Sequence, residues 1–322
     1  MEGWPFPTRP SCASDKSNAE SKAWVESYTP FSEKAQNAFN KCQFGSFAAR
    51  AFANFPDDVY RCSVDLINYY FVFDELTDEM DANNVRVLID GVMNTMRNPS
   101  APALKNEHLC ITMMRDFWLR TLALKATDSF VERFLRDFEE YLETVWQQAV
   151  DRETGLVRPT ADYFKMRRGT IGVRTSTTFM VVVEDLPKLV AEHPYVETMI
   201  RCSIDLSIMS NDIYSFNVEQ AHGDQAHNLV SVTMAERDVD IQGAIDIISA
   251  EYDRCRLEFL RHFNNLPDFG NPKVNGVLER FCLRLGSWVT TNDEWSFLTP
   301  RYFGEEYEQV RKTRTVKLLP RI

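Results

Sequence analysis

The sequence predicts a single all-α domain, on three observations. Apolar residues recur at three- and four-residue spacing through almost the whole chain. Proline and glycine break that pattern at Pro56, Pro99, Gly155, Pro159, Pro187, Gly223 and Pro267. Two-residue alternation is nearly absent, and the Val181-Val182-Val183 run sits inside a helical pattern.

Residues 1 to about 30 carry Pro5, Pro7, Pro10 and Pro30 among small polar residues, so 1–30 is expected to be an irregular arm and 31–322 one domain. Within it the periodicity predicts helices over about 31–54, 57–79, 83–97, 105–126, 128–150, 160–183, 190–221, 227–236, 238–265, 270–290 and 300–312. No internal repeat or low-complexity linker divides them.

Composition narrows the function. With 322 residues, 44% of them hydrophobic, the chain can bury a large core, and its 22 phenylalanines supply aromatic surface for that core or for a cavity. A net charge of -11 argues against nucleic acid as a partner. The seven cysteines, Cys12, Cys42, Cys62, Cys110, Cys202, Cys255 and Cys282, are scattered and form no C-x-x-C, as expected of reduced thiols in a cytoplasmic protein. No apolar run approaches 18 residues and the N-terminus lacks an apolar signal core, so neither a membrane span nor secretion is expected.

Two stretches break the rule that helix faces directed at a core are apolar. On the helix expected over 190–221, Ile200, Ile204 and Ile208 share an arc with Asn211, Ser215 and Glu219, since each step of four residues advances only about 40°. Inward-facing polar groups cost several kcal/mol unless something satisfies them, and an amide, a hydroxyl and a carboxylate suit a hard cation such as Mg²⁺. On the helix expected over 57–79, Asp74 and Asp78 lie four apart beside a stripe of Val64, Ile67, Tyr70 and Phe71. Carboxylates at a helix C-terminus oppose its dipole, so this pair also points to a metal.

Asp74-Glu75-Leu76-Thr77-Asp78 resembles the aspartate-rich motif of class I terpene synthases, and Asn211, Ser215 and Glu219 resemble their second metal motif. The resemblance implies a single-domain α-helical barrel with both motifs at its mouth, holding three Mg²⁺ ions and a prenyl diphosphate. Arg152 and the stretch Asp162 to Gly172 are similar to the region carrying the family's diphosphate-sensing arginine. The resemblance puts that role on Arg168, with Arg167 and Arg174 as alternatives, Gly172 at a helix break used as effector, and Arg152 as a further diphosphate contact. Trp295-Ser296-Phe297-Leu298-Thr299-Pro300-Arg301-Tyr302 is similar to the element whose Arg-Tyr pair closes on the diphosphate, here Arg301 and Tyr302. The flanking residues look most like basidiomycete sesquiterpene synthases, including the protoilludene branch.

The implied chemistry is ionisation of farnesyl diphosphate and cyclisation of the cation, in a cavity whose aromatic candidates are Phe71, Trp295, Phe47 and Trp288. A monomer or a homodimer is expected. The nearest rival, a chain-elongating prenyl diphosphate synthase, would need a second aspartate-rich motif where Asn211, Ser215 and Glu219 stand. A di-iron bundle would need Glu-x-x-His twice, and Glu219 to His222 supplies one copy. A non-catalytic helical protein would not require inward-facing carboxylates on two helices.

Overall fold

A computed structural model describes residues 3–8, 10, 14–184 and 186–321. Cys12 lies outside the described residues. The described residues are helical with no strand. The helices are α1 (Ser14–Ser27), α2 (Glu33–Lys41), α3 (Phe44–Ala51), α4 (Asp57–Asp78), α5 (Ala82–Arg97), α6 (Leu109–Ala123), α7 (Asp128–Thr154) and α8 (Thr160–Thr170). They continue as α9 (Val173–Phe179), α10 (Lys188–Ala191), α11 (Pro194–His222), α12 (Leu229–Arg237), α13 (Ile241–Phe263), α14 (Pro272–Ser296), α15 (Pro300–Phe303) and α16 (Tyr307–Thr313).

Most starts have a chemical cause. Asp81, Thr127, Asn228 and Asp240 each accept a backbone N–H of the first turn they precede. Gly155 and Gly223 end the long helices α7 and α11 in the left-handed conformation. No helix of the described residues is long and apolar enough to cross a membrane.

The structure corrects the sequence expectation in three places. Within residues 1–30, Ser14–Ser27 forms α1 and packs on α4. Its buried face was hard to see because half of it is serine: Ser17 and Ser21 lie inward with Trp24 and Val25. Asn68 of α4 donates to the Ser21 hydroxyl at 2.8 Å, and the Trp24 indole donates to Asp116 at 2.8 Å. The helix expected over 31–54 is divided at Gln43, whose φ of 51° is left-handed. The helix expected over 160–183 is divided at Gly172, with φ of 69°, into α8 and α9.

Ahead of α1, the arm lies against α13 and α14. The Phe6 ring packs on Phe259 and Phe263 and fills the notch left by Gly286, while the Trp4 indole donates to the Gly286 carbonyl at 3.0 Å. A Cβ at Gly286 would run into the Phe6 ring. At the other end, Asn217 of α11 donates to the Lys317 carbonyl at 3.0 Å and accepts from the Leu319 N–H at 2.8 Å. Helices α3, α4, α7, α8, α9, α11, α14 and α15 surround one central cavity, and the site is built on it.

Candidate active site

The stripe on α11 turns polar inside the cavity: Ser207, Asn211, Ser215 and Glu219 all line it. So does Asp74, at the end of the buried stripe of α4. Asp78 lies one turn beyond Asp74, outside the cavity wall. Both aspartates are open to water yet crowded by protein. That crowding raises both carboxyls above the ordinary carboxylate range, and for Asp78 the charge of Asp74 adds to it. Among the described residues, no hydrogen bond or ion pair reaches the Asp74 carboxylate.

Arg152 has a different place from the one expected. It does not line the cavity. Its guanidinium donates to the Thr77 and Met80 carbonyls at 3.1 and 2.9 Å and sits 3.4 Å from Asp78. It therefore satisfies the open C-terminus of α4, the end at which a cation complements the helix dipole.

Arg168 is likewise off the cavity, bonded to Asp205 at 2.7 and 2.9 Å. Arg174 pairs with Glu197 at 2.9 Å and also faces away. Arg167 is the arginine of α8 that enters the site. It donates to the Asn211 side-chain oxygen at 2.8 Å and to Asp212 at 3.3 Å. Neighbouring residues on a helix point about 100° apart, and α8 is turned so that Tyr163, Arg167 and Thr170 share the inner face. Tyr163 is buried and bonded to the Asp212 carboxylate, while Phe164 is half-exposed.

Arg301 and Tyr302, on the short helix α15, complete the rim. Tyr302 accepts a hydrogen bond from the Asn211 amide at 2.8 Å. Arg301 lies over the Phe71 ring at 4.9 Å and near Glu75 at 3.6 Å. Its buried Nε has no hydrogen-bond partner among the described residues. Below the rim the wall is aromatic. Phe71 stacks on Phe44 with ring centroids 3.7 Å apart, Phe47 meets Trp295 and Trp288 edge-on at 5.5 and 5.0 Å, and the Trp295 indole is fixed by a 2.9 Å bond to the Cys42 carbonyl. Gly172 also lines the cavity, its Cα facing the Tyr70 ring. Its carbonyl accepts from the Thr175 and Ser176 hydroxyls at 3.0 and 2.8 Å.

Sequence reasoning missed Asn228 and Asp212. Asn228 donates to Glu219 at 2.8 Å, and Asp212 joins Tyr163, Arg167 and the Leu229 N–H. Asp212 could have been found: it follows Asn211 directly, on the same polar end of the apolar helix expected over 190–221. Nothing local marks Asn228.

The donors fit a hard divalent cation. All are oxygens, Asp74 is unpaired, and burial raises the Glu219 carboxyl, a strain that a cation relieves. No three His, Cys, Asp or Glu side chains among the described residues cluster closely enough to hold a metal alone. A pH test follows. A carboxyl whose folded pKa is raised binds its proton more tightly folded than unfolded, so its stabilising effect is complete below about pH 4 and is lost as pH rises through the raised value. In EDTA, Asp78→Asn is therefore expected to melt near the parent protein at pH 4 and above it at pH 8. Equal melting temperatures at both pH values would contradict the assigned direction.

A cavity walled by aromatic rings, with carboxylates on two helices and arginines at one mouth, suits an apolar ligand with an anionic head and a divalent cation. The chain belongs to the terpene synthase family: residues 65–258 match the family model described as terpene synthase family 2, C-terminal metal binding. A Delta(6)-protoilludene synthase from Stereum hirsutum is 36% identical over 98% of this chain and 86% of its own length. Sesquiterpene synthase 9 from Postia placenta is 36% identical over 98% of this chain and 92% of its own. Among solved structures, the linalool/nerolidol synthase from Streptomyces clavuligerus superposes with a TM-score of 0.82 at 20% identity, over 92% of this chain and 100% of that one. Germacradien-4-ol synthase from Streptomyces citricolor gives 0.77 at 19% identity, over 90% and 98%.

Proposed function

We propose that the protein is a Mg²⁺-dependent sesquiterpene synthase that ionises farnesyl diphosphate and cyclises the resulting cation. The observation that carries this reading is the shared cavity, which brings Asp74 of α4 and Asn211, Ser215 and Glu219 of α11 to an aromatic chamber. The names of the relatives, a sesquiterpene synthase and a Delta(6)-protoilludene synthase, support a sesquiterpene product and with it the farnesyl chain length; a C1–C11 closure towards a protoilludene-type skeleton is part of the same proposal.

Asp74 and Asp78 would hold metal on one side, and Asn211, Ser215 and Glu219 on the other. Mg²⁺ keeps several waters and takes one or two carboxylates plus substrate phosphates, so three ions shared with the diphosphate suit these sparse donors. Bound Mg²⁺ supplies Lewis-acid neutralisation of the diphosphate. The residues of the chain do the rest. Arg167, Arg301 and Tyr302 donate to the diphosphate oxygens as the allylic C1–O bond breaks and its electron pair leaves with the diphosphate. The Nε of Arg301 is a donor already available for this. Phe71, Trp295, Phe47 and Trp288 present ring faces that stabilise a carbocation without attacking it, and Gly172 lets the backbone turn beside them. The apolar depth of the cavity, away from the polar mouth, limits water beside the cation.

The test is incubation of purified protein with geranyl, farnesyl and geranylgeranyl diphosphates, with Mg²⁺ or with EDTA, followed by gas chromatography of the organic extract. A cyclic sesquiterpene from farnesyl diphosphate that disappears with EDTA is the expected result. Longer diphosphates formed only when isopentenyl diphosphate is added would replace this reading with chain elongation.

A further inference from the structure

Asn228 belongs to none of the motifs, yet it touches more of the second metal face than any residue outside it. It is fully buried at the start of α12, where its Oδ1 accepts the Val230 backbone N–H at 2.8 Å. That bond fixes which way the amide faces. The Nδ2 is turned to α11 and donates to the Glu219 Oε2 at 2.8 Å, to the Asp212 backbone carbonyl at 2.8 Å and, more weakly, to the Ser215 hydroxyl at 3.4 Å. One NH2 group thus serves three oxygens of one helix face, two of them on side chains given metal-holding roles above.

We propose that Asn228 is a positioning residue that holds Glu219 and Ser215 in their cavity-facing orientation before metal binds. The proposal rests on the metal role of those two residues. Glu219 has several rotatable bonds and stands within the last turns of α11, so it needs a fixed donor to stay in one rotamer. Asn228 provides one from a different helix, and α12 is tied to α11 a second time by the Leu229 N–H, which donates to the Asp212 carboxylate at 3.0 Å. Groups that orient metal ligands from behind typically change metal affinity or activity by about 10- to 100-fold when removed.

Asn228 also caps α12, and the test must separate the two roles. Asn228→Ser and Asn228→Thr keep an oxygen suited to the cap but lose the amide that reaches Glu219. The readout is thermal melting of the purified full-length protein, titrated with Mg²⁺ in the presence of inorganic diphosphate and without any prenyl substrate. The parent protein is expected to rise in melting temperature as Mg²⁺ binds. Both variants should melt below the parent without metal, because the Asp212 carbonyl and Glu219 lose a buried donor, and should need about 10-fold more Mg²⁺ or above to reach half of their own rise. Mg²⁺ midpoints within twofold of the parent in the folded variants would overturn the proposal, leaving Asn228 a helix cap only. No Mg²⁺-dependent rise in the parent protein would overturn the metal reading itself, and the role of Asn228 with it.

Discussion

Asp74→Ala is expected to lower turnover of farnesyl diphosphate by about a thousandfold while leaving the protein folded. The scale is that of removing one well-placed electrostatic stabiliser from a water-excluding site. The fold should survive because the Asp74 carboxylate makes no hydrogen bond among the described residues, and its removal relieves repulsion against Asp78. Asn211→Ala should abolish turnover as fully but with a different effect on stability. Its amide bridges Arg167 and Tyr302, and unpairing buried partners costs about 1–3 kcal/mol. Initial rates by gas chromatography and thermal melts check both, and full activity in either variant would end the metal assignment.

The second large effect separates two adjacent arginines. Arg167→Gln is expected to reduce turnover by about 100- to 1000-fold, because its guanidinium is the one from α8 that faces the diphosphate position. Arg168→Gln should keep most of the activity. Its partner Asp205 retains Arg201 at 3.4 Å, and a partly exposed ion pair contributes at most about 1 kcal/mol. The pair of variants should be assayed for rate and for melting temperature side by side. A rate collapse in Arg168→Gln with Arg167→Gln active would return the role to Arg168, where the resemblance had put it.

That arginine shows what the sequence carries and what it leaves out. The meeting of Asp74 with Asn211, Ser215 and Glu219 in one cavity was legible because each set continues an apolar stripe, so burial and polarity conflict within one helix. The helical class and most helix spans were legible for the same periodic reason. The rotation of α8 was not. The Tyr163 hydroxyl finds Asp212 on α11, and with that long-range bond Arg167 faces inward and Arg168 out. The place of Arg152 was illegible for a related reason: its partners are backbone carbonyls at the end of α4, which no side-chain motif reveals. The helix Ser14–Ser27 was hidden by serines that are buried through hydrogen bonds rather than through apolar area.

The seating of Phe6 beside Gly286 has a consequence in time. The two are 280 positions apart. A ribosome adding about 5–20 residues per second finishes α14 roughly 15–60 s after Phe6 is made. During that interval Trp4 and Phe6 have no native surface to cover them, because both sides of their groove, α13 and α14, are still to come. Trp4 and Phe6 are thus among the last aromatic residues to find their place, and the nascent chain carries both rings uncovered until α13 and α14 have been made.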